Sequence, residues 1–280
     1  MLINGKQIAE KVLAEVKAAV AKMKKPPRLA AIMVGRDPNL RGFLEMKEKV
    51  AQRVGMEYKI YDFPENITNK ELRAKIVAIA KQSLVTGVII ELPLPAHLNT
   101  QYILNAVPPE KDPDVLSQKA QGAFFVGRIG SLPAGRKVLP PSVEAVKLIC
   151  ETHNIDVRSK QCVAFGHGLL VGKQVAHWFL LQGATVTVVT EHTIKPENYS
   201  RHADIVVSGV GKPGLITGDM IKVGSTVIDF GYNEGVGGVV GDVDFESASK
   251  KANLITPVPG GVGPLVIAAV LKNTIILSSK

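Results

Sequence analysis

The sequence predicts an α/β fold of two domains, the second a doubly wound parallel sheet. Three observations predict it. Apolar runs of strand length alternate with segments of helical periodicity along most of the 280 residues, the pattern of βαβ units. A glycine-rich turn from Gly166 to Gly172 follows one such strand and opens a helix. A Gly/Pro-rich loop from Thr256 to Pro264 ends another strand and opens a long apolar helical run. Its prolines and glycines exclude helix or regular strand inside the loop itself.

The elements follow in order. Residues 8–23 place apolar side chains at helical spacing, and the cluster Lys22, Lys24, Lys25 closes that helix where cations suit its dipole. Residues 29–34 form an apolar strand, 43–54 a helix, 56–61 a strand, 69–82 a helix and 85–90 a buried strand. A loop-rich region runs from Pro108 to Pro141. The alternation then restarts with a helix at 143–152, strand 161–165, helix 170–181 and strand 185–189. Further strands are expected at 205–207 and 226–228, and a last helix at 265–277. This second half has the pattern of a doubly wound nucleotide-binding domain.

Composition narrows the class. With 21% charged and 46% hydrophobic residues the chain is globular. No apolar run approaches the ~18 residues of a membrane span. The first residues lack a charged region leading into an apolar one, so no secretory signal is expected. Two cysteines, Cys150 and Cys162, make neither a disulfide framework nor a metal site, which favours a reducing cytoplasm. The net charge of +9 is scattered and aromatics are 5%, which argues against nucleic acid and for attraction of small anionic ligands. No metal or hydrolase motif of the HExxH, paired CxxC or Ser-His-Asp kind is present.

Several residues are candidates for chemistry. Gly166, His167, Gly168, Val171 and Gly172 form a GxGxxxG turn, one residue longer than the common dinucleotide fingerprint. Glycines there let the backbone approach a pyrophosphate at a helix N-terminus. Glu191 stands nineteen positions after Gly172, followed by His192 and Thr193. An acid at that place accepts hydrogen bonds from the adenosine ribose and repels a 2′-phosphate, which favours NAD over NADP. A solvated loop charge is the alternative, and His192 and Lys195 lie close enough to aid phosphate binding. Lys47, four residues after Phe43 on one helix face, has Glu45, Glu48 and Lys49 as neighbours, as on any exposed helix.

An ordered set of segments gives these residues a further meaning. Val34-Gly35, Leu92-Pro93-Leu94-Pro95, Lys111-Asp112-Pro113-Asp114, Gly166 to Gly172, Gly211-Lys212-Pro213-Gly214, Val239 to Val243 and the loop Pro257-Val258-Pro259-Gly260-Gly261 span essentially the whole chain. Together they resemble the bifunctional methylenetetrahydrofolate dehydrogenase/methenyltetrahydrofolate cyclohydrolase family. The resemblance implies oxidation of 5,10-methylenetetrahydrofolate with NAD or NADP, then hydrolysis of the methenyl product to 10-formyltetrahydrofolate. It implies catalytic roles for Lys47, Glu91 and Asp114. Phe43, Leu92, Pro93, Pro259, Gly260, Gly261 and Leu265 would contact the substrate. The glycine turn, Glu191, His192, Thr193, Gly211 and Pro213 would hold the cofactor. It further implies a folate-binding catalytic domain of residues 1–138 plus 262–280, a Rossmann-like domain of 139–261, a substrate cleft between them, and a homodimer with no nucleic acid or membrane partner.

The departures from the family pattern matter as much. Phe43 stands where the family has tyrosine, Glu91 where it has glutamine, Leu40 where it has serine, and Val115 where it has glycine. Gly168 replaces a serine, and Leu265-Val266 a methionine–threonine pair. Pro113 is new, and Ser142 keeps one hydroxyl of a proline-rich motif. A carboxylate at Glu91 is expected to pair with Lys47 and favour its protonated form, weakening it as a general base. Hydride transfer needs no such base, so the expected result is dehydrogenation with weakened or absent hydrolysis. A paralogue that binds without turnover, and a dehydrogenase for another substrate, are the alternatives.

Overall fold

A computed structural model describes residues 1–126, 138–235 and 238–278. The expected loop region between Pro108 and Pro141 therefore falls partly outside the described residues. The chain forms two compact units, one of residues 11–126 and 138–141 with 267–278, the other of residues 1–10, 142–235 and 238–266.

The elements of the first half are α1 (Gly5–Ala21), β1 (Arg28–Val34), α2 (Pro38–Arg53), β2 (Glu57–Phe63), α3 (Asn69–Ala80), β3 (Val85–Ile90), α4 (Thr100–Leu104) and α5 (Gln118–Phe125). The first unit carries a parallel sheet in the order β2-β1-β3. The central strand is almost wholly buried, as its Leu-Ala-Ala-Ile-Met-Val run requires, whereas β2 is an edge strand with exposed positions. Helix α2 begins earlier than its apolar pattern suggests. Asp37 caps it by accepting from the Asn39 and Leu40 amides, and Pro38 fits the first turn. Helix α5 is an unforeseen element in the expected loop region, capped by Ser117.

The second half contains α6 (Pro141–Thr152), β4 (Gln161–Phe165), α7 (Gly172–Leu181), β5 (Thr185–Val189), α8 (Glu197–Ser200), β6 (Ile205–Ser208), β7 (Thr226–Asp229), β8 (Asn233–Gly235), β9 (Gly238–Val240), α9 (Phe245–Ser249), β10 (Leu254–Ile255) and α10 (Val262–Ser278). The second unit's parallel sheet runs β10-β7-β6-β4-β5, with β8 and β9 as a separate antiparallel ribbon. Val163, Phe165, Val206, Val227, Val243 and Ile255 build part of its core.

Three boundaries differ from expectation: residues 262–266 group with the nucleotide-type sheet, residues 139–141 with the first unit, and the largest shift is at the start of the chain. Residues 1–10 group with the nucleotide-type sheet, not with the first unit. The cause is local pairing. Leu2 bridges Ile255 in parallel, the Ile3 amide donates to the Ile255 carbonyl at 2.9 Å, and the N-terminal ammonium donates to the Asn253 carbonyl at 2.5 Å. Among the described residues no helix is long and apolar enough to cross a membrane.

Candidate functional site

In the second unit the glycine turn and Glu191 meet. Parallel pairing puts Phe165 beside Val189, and the Gly166 amide donates to the Val189 carbonyl at 2.7 Å. The turn after β4 and the Glu191 segment after β5 therefore leave the carboxyl ends of adjacent strands, where doubly wound sheets bind ligands. Gly172 is obligatory, because a β-carbon there would lie 2.0 Å from the Gly166 carbonyl oxygen. Gly168 faces open space, so its loss of a family serine does not come from crowding. Helix α7 starts at Gly172, two residues later than expected, and no side chain caps it. The turn thus leads into a helix N-terminus, where doubly wound folds bind an anionic pyrophosphate, although the Lys173 amide already donates to the Gly168 carbonyl at 3.2 Å. Ser142 braces the turn by donating to the Leu170 carbonyl at 2.7 Å.

His167 and Gly168 are exposed and Val171 is half-buried. Glu191 and His192 are exposed too, with His192 Nε2 3.7 Å from the Glu191 carboxylate. Thr193 Oγ1 accepts from the Thr190 amide at 2.9 Å, closing the turn that carries Glu191. Gly211 and Pro213 lie on an exposed loop organised by Asp242, which the sequence analysis placed in the segment Val239 to Val243 without giving it a role. Its buried carboxylate accepts from Ser208 Oγ at 2.7 Å and from the amides of Val210 at 2.7 Å, Gly211 at 3.3 Å and Lys212 at 2.9 Å. Asn233 Nδ2 adds a contact at 3.2 Å. Asp229 in turn accepts from the Asp242 and Val243 amides.

The Gly/Pro loop belongs to this second unit as well. Gly261 admits no side chain, since a β-carbon would lie 2.4 Å from the Pro257 carbonyl oxygen. Gly260 and Pro259 remain partly or fully accessible, but Leu265 is completely buried. Its side chain is packing, not the substrate contact expected of it, because α10 starts at Val262 and turns that position into the core.

The first unit holds a polar cluster. Lys47 on α2 donates to Glu91 Oε1 across a separation of 44 residues. Its side chain is 18% exposed and that of Glu91 9%, so this is an enclosed pair and Lys47 is not an ordinary surface lysine. Glu91 follows β3 and is fixed by its amide donating to the Ile32 carbonyl at 3.0 Å. Phe43 sits one turn before Lys47 and is half-buried, as is Leu92, whereas Pro93 is exposed. Asp114 completes the cluster. The residue as a whole is half-buried, but its carboxyl is enclosed, and burial pushes its pKa up to about 7 against the opposing pull of Lys47.

The loop that presents Asp114 is held from two sides. Asp112 accepts from the Leu116 amide at 3.0 Å and the Ser117 amide at 2.8 Å. Asn273, a lone amide in the apolar helix α10, donates to the Pro113 and Leu139 carbonyls, both at 2.8 Å. Val115 takes φ +57°, a left-handed conformation that a β-branched residue adopts at a cost. The backbone bend at this place is therefore present even with valine.

These carboxyls give stability a pH dependence. Burial raises the pKa of Asp112, that of Asp114 to about 7 and that of Asp229 to about 6. In the folded chain each holds its proton to higher pH than in the unfolded chain, where the ordinary value is 3.8. The native state is thus favoured at low pH, and stability falls as pH rises toward these values. Glu71, Asp204 and Asp219, held low by hydrogen bonds, give the opposite slope, but only around and below 4.5 and 3.8. The urea midpoint should therefore fall between about pH 5 and about pH 7.5. A midpoint that climbs across that interval contradicts the assignment.

A doubly wound sheet with a glycine turn, an acid after the next strand and a second unit carrying a lysine–carboxylate cluster defines a two-domain NAD(P)-dependent dehydrogenase. Residues 3–114 match the tetrahydrofolate dehydrogenase/cyclohydrolase catalytic domain, and residues 140–280 the NAD(P)-binding domain of the same family. The bifunctional protein FolD of Nautilia profundicola is 42% identical, the alignment covering 98% of this chain and 95% of that one. The crystal structure of the bifunctional FolD enzyme of Campylobacter jejuni superposes with a TM-score of 0.92 at 35% identity, over 98% of this chain and 97% of that one. The Trypanosoma brucei enzyme, solved with NADP and an inhibitor, gives 0.91 at 32% identity, over 99% and 96%. The chain belongs to the tetrahydrofolate dehydrogenase/cyclohydrolase family. It is an NAD(P)-dependent methylenetetrahydrofolate dehydrogenase/cyclohydrolase of one-carbon folate metabolism.

Proposed function

We propose that Lys47, Glu91 and Asp114 form the folate site of this enzyme, and that it oxidises methylenetetrahydrofolate faster than it hydrolyses the methenyl product. The ion pair between Lys47 and Glu91 carries the reading. NAD(P), when bound, accepts the hydride. That step asks the protein for alignment and for exclusion of water, not for a proton acceptor. Hydrolysis asks more. A base must take a proton from the attacking water, and a lysine engaged as donor to a carboxylate is badly placed to accept one. Phe43, one helical turn away, supplies no hydroxyl. Asp114 has two acceptor oxygens when ionised, enough for an aminopyrimidine edge.

Residues 11–141 with 267–280 would then be the folate-binding part, and the remainder the nucleotide-binding part. A cytoplasmic homodimer completes the reading, the two free buried cysteines favouring a reducing compartment.

Glu191 sets the cofactor preference toward NAD, through the ribose hydroxyls. Calorimetric titration with NAD, NADP and tetrahydrofolate separately tests the assignment. NAD should bind more tightly than NADP, and Glu191→Ser should move the ratio toward NADP by about ten-fold, the worth of one charge-assisted contact. Wild-type protein that binds NADP at least as tightly as NAD removes Glu191 from the ribose. Failure to bind tetrahydrofolate at all removes the folate site.

A further inference from the structure

The edge strand β2 offers a group that the folate chemistry has not yet used. Its residues alternate between two faces. Tyr58, Ile60 and Asp62 share one, and the ion pair between Asp62 and Arg41 shows that this is the face under α2. Lys47 and Glu48 lie further along that helix, toward the Tyr58 end of the strand. The phenol oxygen of Tyr58 is closed to solvent, and among the described residues no atom makes a hydrogen bond with it. The charges that act on it are Glu91 first, then Asp114, then Glu48. Tyr58 therefore lies close enough to the proposed folate site for the charges of Glu91 and Asp114 to act on its phenol.

A buried hydroxyl without a protein partner costs free energy unless something else satisfies it. Its partner must then come from outside the described protein atoms, as a water or a ligand atom. The surrounding negative charge decides the hydroxyl's role. Burial and the three carboxylates hold the phenol far above its ordinary pKa, so it stays a neutral O–H donor throughout the working pH range. Such a donor seeks an acceptor, and the two nearest carboxylates have other tasks. Glu91 is taken by Lys47, and neither carboxyl group makes a hydrogen bond with the phenol.

We propose that Tyr58 is a substrate-binding residue of this enzyme, donating from its hydroxyl to an acceptor atom of the folate ring system held between Lys47, Glu91 and Asp114. It supplies from β2 a hydroxyl that α2 lacks at Phe43. The inference rests on the folate-site reading above.

The test is Tyr58→Phe, which keeps the ring and removes one oxygen. Steady-state kinetics of methylenetetrahydrofolate oxidation should show kcat/KM for the folate lowered by about three- to ten-fold, the worth of one neutral hydrogen bond. The dissociation constant for NAD should stay unchanged, because the nucleotide site lies in the other unit. Adding Phe43→Tyr to the variant should restore most of the loss by returning a hydroxyl from the helix side. An unchanged kcat/KM in Tyr58→Phe, with the wild type active on folate, overturns the proposal and assigns the hydroxyl to water alone. Equal losses for folate and NAD, accompanied by a lower Tm, also overturn it, since a packing role would produce them. A wild type without activity on methylenetetrahydrofolate would instead sink the folate-site reading itself.

Discussion

Asp242→Ala should destabilise the second unit by on the order of 3–5 kcal/mol, the largest single-residue effect expected in the nucleotide-binding half. The carboxylate is fully buried and gathers Ser208, three consecutive amides from Val210 to Lys212, and Asn233. Alanine leaves these donors facing one another with no acceptor. Part of the loss is returned because Asp229, whose pKa is raised partly by Asp242, is relieved of a neighbouring charge. The variant should also bind NAD weakly, because the loop 210–214 loses the anchor that fixes its shape. Asp242→Asn is the internal control. It keeps the volume but offers one acceptor oxygen and two unwanted donors, so its loss should be intermediate. Urea unfolding followed by circular dichroism reads both variants. A cost below about 1 kcal/mol for alanine would show that the loop is held by something else.

The second large effect concerns the folate site. Phe43→Tyr combined with Glu91→Gln returns a hydroxyl and a neutral amide beside Lys47, and removes the carboxylate to which the lysine now donates. One recovered acid–base contribution is worth on the order of 10²-fold in rate. At least a ten-fold gain in methenyltetrahydrofolate hydrolysis is therefore expected, with a smaller change in hydride transfer. Each single change should fall short of the pair, because both act on one lysine and are not additive. A double variant that gains nothing yet binds tetrahydrofolate would move attention to Leu40 and Val115, whose apolar side chains stand where the family pattern has serine and glycine.

The sheet elements were legible because their signals are local. Central β1 reads as an uninterrupted apolar run, the strands of the second sheet as short, largely apolar and β-branched runs, and the glycine turn stood directly between a strand and a helix. The start of α2 was hidden, since Pro38-Asn39-Leu40-Arg41-Gly42 has a loop's composition and only the cap at Asp37 makes it helical. The short helices α5, α8 and α9 and the β8–β9 ribbon are each too brief to build a periodicity. At the candidate site, residue types alone did not separate Lys47 from its charged neighbours. Its partner is 44 positions away, so only family resemblance joined them before the fold did. Asn273 and Tyr58 went unread for the same reason, and Asp242 was legible as part of the segment Val239 to Val243 but not in its role. Each acts through side-chain or backbone atoms brought near by folding. The single amide inside apolar α10 and the tyrosine sharing a strand face with Asp62 were the available hints.

The most direct test of the central claim is the ratio of the two activities in the unmodified protein. Hydrolysis of methenyltetrahydrofolate, corrected for its spontaneous rate, is compared with oxidation of methylenetetrahydrofolate under the same conditions. An engaged Lys47–Glu91 pair predicts hydrolysis markedly slower than oxidation. Hydrolysis as fast as oxidation, and abolished by Lys47→Ala, would show that the lysine works as a base despite Glu91 and would contradict the account.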